Sequence, residues 1–153
     1  MVPATWEEEE LAAYEPKRAK FVEETRQAAA KAALLARQLP HQWKALREIL
    51  MIRCESLNAK AGRTILRPAA PDPDTLEIRR EDDSKIVVHF EAAKKKVTFS
   101  GKAFGYDREY ELIVPTFGAA DTTVWYNQST LATDQPDDIA KTMLGVFLRA
   151  EES

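Results

Sequence analysis

Between Arg18 and Gly62 apolar positions recur at helical spacing almost without interruption. Phe21, Thr25, Ala28, Ala32, Leu35 and Leu39 follow one another at intervals of four, three, four, three and four residues, which aligns them as one narrow seam. Gln27 to Gln38 contains only good helix formers. Pro40 removes a backbone donor and crowds the turn before it, so a break or sharp kink is expected there. The stripe then resumes as Trp43, Leu46, Leu50, Cys54 and Leu57. Ile49, Leu50, Met51 and Ile52 extend it around most of the circumference, and a helix apolar on most sides is expected to be buried on most sides. This second half reads as the central core helix, with Gly62 as its stop. The first half, thin in its seam and rich in Ala, reads as an arm that packs against another helix.

Upstream, Thr5-Trp6-Glu7-Glu8 has the capping-box order, and the Glu run that follows suits the positive end of a helix dipole. Pro16 is expected to end this first helix near Tyr14.

After Gly62 the period changes. Arg67 to Asp74 carries three prolines in eight residues and reads as an extended connector. Alternation of period two follows in five segments, around Leu76 and Ile78, Ile86 to Phe90, Val97 to Phe99, Tyr110 to Val114, and Val124 to Tyr126. The connections are too short for crossover helices and predict an antiparallel meander with one apolar face. A last helix is signalled by Asp134 as cap, Pro136 in the first turn and an apolar face of Ile139, Met143, Val146 and Phe147. The predicted fold is α+β: an antiparallel sheet of about five strands, covered on one face by a long kinked N-terminal helix and a C-terminal helix. Within a single domain, 1–15 is an acidic arm, 16–63 the helical region, 64–74 the connector, 75–127 the sheet and 134–150 the last helix.

Composition narrows the class. At 44% apolar and 31% charged residues the chain fits a globular protein with a packed core. No apolar run is long enough to cross a bilayer. The acidic start lacks the basic and apolar regions of a secretory signal, and the lone Cys54 allows no internal disulfide. A cytoplasmic protein with no membrane partner is the expectation. Charge is uneven: residues 1–15 carry five acids and no base, 16–63 eleven bases against four acids, and 64–153 eleven bases against sixteen acids. The positive charge lies in the helical region.

Candidate chemistry is sparse. His41, Cys54 and His89 are the only nitrogen or sulfur ligand candidates and fall on three elements at no ligand spacing, so no metal site is expected. Gly62, Gly101, Gly105, Gly118 and Gly145 form no nucleotide-binding fingerprint. No cofactor is implied and no catalytic constellation is readable. His89, Thr98, Glu111 and Trp125 are expected on the polar face of the sheet, where His89 and Trp125 could line a small-ligand surface. Arg47, Arg53, Lys60 and Arg63 could meet nucleic-acid phosphates, although a net charge of −3 and the absence of interleaved aromatics disfavour this. The leading expectation is a non-enzymatic interaction or assembly module. It is expected to be a homodimer joined along Phe21, Ala28, Ala32, Leu35 and Leu39, with Leu35 and Leu39 near the centre, the alternative being a monomer in which the arm folds back; a further protein partner is not identified by the sequence.

Overall fold

In the computed structural model, residues 2–115 and 122–151 are described. Two compact units divide the chain, Met1–Leu34 and Leu35–Ser153.

One helix, α1 (Trp6–Ala61), begins in the first unit and ends in the second. Its start is the capping box read from the sequence: Thr5 Oγ1 accepts from the Glu8 amide (3.2 Å) and Glu8 Oε2 from the Thr5 amide (3.3 Å). Neither Pro16 nor Pro40 ends it, so the stop expected at Pro16 is absent and the helix runs unbroken through Pro40. Each proline denies a partner to the carbonyl four residues earlier, at Ala12 and Ala36. Ala12, Pro16, Ala36 and Pro40 are all exposed, so those carbonyls can turn to water and the cost of the proline is borne without a break.

Within the first unit every described residue except Leu34 is exposed. Local contacts support the helix there: Glu23 binds Arg26 and Gln27, Lys20 lies 3.9 Å from Glu24, and Thr25 Oγ1 donates to the Phe21 carbonyl.

The second unit is an α+β fold. Seven strands follow in sequence order, β1 (Leu66–Asp72), β2 (Thr75–Arg80), β3 (Lys85–Glu91), β4 (Lys96–Ser100), β5 (Arg108–Ile113), β6 (Val124–Asn127) and β7 (Ala132–Asp134). Each pairs antiparallel with the next, giving one meander. Two strands exceed the expected five. β1 comes from the Pro-rich connector, where Pro68 and Pro71 are tolerated because the strand lies at the sheet edge. β7 occupies Ala132–Asp134, so Asp134 ends a strand and Gln135 precedes the helix α2 (Pro136–Arg149).

Register fixes the two faces of the sheet. Leu76, Val88 and Phe99 lie across from one another in successive strands, as do Val97 with Tyr110 and Leu112 with Trp125. They share a core with Leu39, Trp43, Leu46, Leu50 and Cys54 of α1 and with Ile139, Met143 and Phe147 of α2. Trp43 stacks on Phe90 at 5.5 Å, and Phe99 meets Tyr110 edge-on. The second half of α1 is not buried all round: Met51 and Ile52 remain exposed, because one sheet covers only one side of a helix.

Polar side chains lock the ends. Gly62 adopts φ +72, and Arg63 donates to the Asn58 carbonyl, closing α1 as expected. Asn58 Oδ1 accepts from Ile65 and Leu66, while its Nδ2 donates to the Leu66 carbonyl. Arg80 donates to the Phe147 and Ala150 carbonyls and covers the Phe147 ring, pinning the C-terminal turn of α2.

Candidate functional site

The outer face of the sheet was the expected ligand surface. Cross-strand register brings Thr75, His89, Thr98 and Glu109 into one row and Lys96, Glu111 and Tyr126 into the next. Thr75 Oγ1 hydrogen-bonds His89 Nδ1 (3.2 Å), and Lys96 Nζ reaches Glu109 at 2.8 Å, which raises the ammonium pKa. Trp125 does not belong there. It lies opposite Leu112, fully buried on the core face, and Tyr126 takes the outer position. The segment Val124–Tyr126 is apolar or aromatic in both phases, so alternation could not assign its face. His89 and Trp125 therefore do not meet on one surface.

The basic helical residues are largely engaged within the chain. Arg53 forms a two-pronged pair with Asp137 (2.7 and 2.8 Å), Arg63 pairs with Glu81 (2.6 Å), and Arg47 donates to the Pro73 carbonyl (3.0 Å). Lys60 is exposed and without an ion pair among the described residues.

Cys54 is fully buried, and desolvation pushes its thiol up to about 12, which removes the thiolate a nucleophile or metal ligand needs. Among the described residues no group of three or more His, Cys, Asp or Glu side chains could hold a metal ion. Gly118 lies outside the described residues. No helix among the described residues is long and apolar enough to cross a membrane.

Two features stand out. The first is the helix surface of residues 6–33. Trp6 (70% exposed), Leu11, Tyr14, Phe21 (67%) and Val22 present large apolar side chains to solvent, and Ala28 and Ala32 are also exposed. The seam drawn from the sequence does not continue evenly beyond them. Leu35 packs partly against the core and Leu39 is 6% exposed within it, so Leu39 is a core residue and not the centre of an association seam. Trp6, Leu11, Tyr14 and Val22 were missed because the expected stop at Pro16 and the narrow seam excluded them.

The second feature is a groove of about 600 Å³ in the second unit. Its floor is apolar, with Leu39, Pro40, Trp43 and Phe90, and its rim carries Lys44, Arg47 and Lys95 against the single acid Asp74. Trp43 is held in place by its indole N–H, which donates to the Pro73 carbonyl at 2.9 Å. Two other cavities, of about 490 and 250 Å³, lie around Arg80 and between Arg53 and Leu148. His89 lines none of the three.

No protein-family model matches the chain, and neither the comparison with known proteins nor that with solved structures finds a match.

Proposed function

We propose that the protein is a non-enzymatic assembly module that pairs with a second copy through the first half of α1. The observation that carries this reading is the exposure of Trp6, Leu11, Tyr14, Phe21 and Val22 on one helical segment. Scattered exposed apolar residues are ordinary, but five large ones along a single segment support reading it as an interaction surface. A helix this exposed also gains little from tertiary packing, and isolated helices are marginal in water, so a partner along its length would stabilise it. The burial of Cys54 counts against a catalytic reading, and the in-chain pairing of Arg53 and Arg63 counts against nucleic acid.

Light scattering after size exclusion tests the reading. The expected result is a dimer mass at tens of micromolar and a monomer for Phe21→Glu, since a carboxylate buried unpaired at a helix contact is strongly unfavourable. A monomer mass for the unmodified chain, or a Phe21→Glu variant that stays dimeric, overturns it.

A further inference from the structure

We infer that two copies pair antiparallel through residues 7–32 of α1 alone, in the heptad register that sets acids against bases along one flank. This rests on the self-association reading above and adds orientation and register to it.

Every contact of this pairing lies inside the first unit, where each residue from 7 to 32 is exposed, and it draws nothing from residues 35–153. Along the segment apolar side chains recur at heptad spacing. Leu11, Arg18, Thr25 and Ala32 form one row, and Tyr14, Phe21 and Ala28 the adjoining one. Val22 flanks these rows and Trp6 stands off them. In an antiparallel pair a residue of one row faces the other row of the partner. The register centred between Ala19 and Lys20 sets Leu11 against the partner's Ala28 and Tyr14 against the partner's Thr25. Large side chains then meet small ones, which lets the helices close. The Thr25 hydroxyl already donates to the Phe21 carbonyl, so covering it leaves no donor unpaired. At the centre Arg18 lies over the partner's Phe21 ring, its stem on the seam and its guanidinium at the edge.

Charge selects this register. One flank of the seam carries Glu10, Lys17, Glu24 and Lys31, which alternate in sign at every seventh residue. Antiparallel pairing brings that flank against its own copy, so Glu10 meets the partner's Lys31 and Lys17 meets the partner's Glu24, each twice by symmetry. Glu10, Lys17 and Lys31 have no ion pair within their own chain among the described residues, and Glu24 reaches Lys20 at 3.9 Å. Sliding by one heptad in one direction sets Lys17 against the partner's Lys17 and Glu10 against the partner's Glu24. Sliding in the other sets Glu24 against the partner's Glu24 and Lys17 against the partner's Lys31. A parallel pair stacks Arg18 on the partner's Arg18 inside the seam and brings Glu10 beside the partner's Glu15. Pairs this exposed add little affinity each, so the apolar layers hold the dimer and the charges choose among its arrangements.

Two measurements on the full chain test this. A mixture of Leu11→Cys and Ala28→Cys chains should form a disulfide-linked heterodimer under mild oxidation. Ala28→Cys alone should not crosslink, because the same position on the partner lies about 25 Å away along the helix axis. Cys54 is fully buried and stays silent. Separately, Lys17→Glu and Glu24→Lys should each weaken the dimer about tenfold, and mixing them should restore affinity in the heterodimer, where both contacts again pair opposite charges. All four positions are exposed, so no substitution removes a core contact. Efficient crosslinking of Ala28→Cys alone in a dimeric protein overturns the orientation, and no rescue on mixing overturns the register; either leaves self-association standing. A monomeric unmodified chain overturns both readings.

Discussion

Asn58 sits where the long helix ends and the sheet begins, and its side chain uses three hydrogen bonds to join them, two accepted by Oδ1 (2.8 and 2.9 Å) and one donated by Nδ2 (2.8 Å). Asn58→Ala would leave those backbone groups half-buried and unpaired, and the expected loss is about 2 kcal/mol, read as a lower urea midpoint at unchanged slope. The Arg53–Asp137 pair joins α1 to α2 through its side chains, and hydrogen bonds from Arg53 first, then from Lys141, lower the Asp137 pKa to about 2. A carboxylate whose folded pKa lies below its unfolded value contributes stability that is complete above the unfolded value, near 4, and disappears as pH falls through about 2. Acid titration of stability should therefore show a shallower fall between pH 4 and 2 in Asp137→Asn than in the unmodified chain. Equal slopes would mean that the pair carries no linkage. The sequence reading marked Arg53 for phosphate contact and not for its pair with Asp137. A contact between positions 84 residues apart leaves no local pattern, whereas the Thr5–Glu8 box, complete within four residues, was legible from the order of its side chains.

The elements were readable where one period excluded the other. Leu76 and Ile78, then Ile86, Val88 and Phe90, then Val97 and Phe99 recur at every second residue, and the sheet follows them strand by strand. Val124–Tyr126 fits both phases, so Trp125 was placed on the wrong face, and β1 was hidden because its prolines are tolerable only at an edge, a fact of topology. The prolines of α1 misled in the opposite direction. Pro16 was read as a stop, yet an interior proline lowers helix stability by about 3 kcal/mol relative to Ala without forbidding the helix. Pro16→Ala should then slow hydrogen exchange of the amides in the surrounding turns by one to two orders of magnitude, since about 1.4 kcal/mol is tenfold in a local opening equilibrium. Unchanged exchange would mean that those turns open for reasons unrelated to the proline.

At the scale of the whole molecule, self-association through the sheet is poorly served. The edge strand β1 carries Pro68 and Pro71, and the opposite edge β7 is three residues long, so neither offers a continuous row of free backbone donors and acceptors. On the proposed reading, the apolar surface on the first half of α1 is the route to assembly. It also divides one element into two thermodynamic roles, because Leu39 is 6% exposed in the core whereas Phe21 is 67% exposed. If the first half acts between chains, the thermal midpoint of the unmodified protein must rise with its concentration, as association stabilises the folded chain by mass action. Phe21→Glu should remove that dependence while leaving the midpoint measured at high dilution unchanged. Leu39→Ala should lower the midpoint at every concentration, by the equivalent of about 2–4 kcal/mol for a leucine truncated in a packed interior. The two substitutions lie on the same helix, so the contrast separates assembly from folding. A midpoint independent of concentration in the unmodified chain, or a fall at high dilution in Phe21→Glu equal to that of Leu39→Ala, would return the whole seam to the monomer's own core.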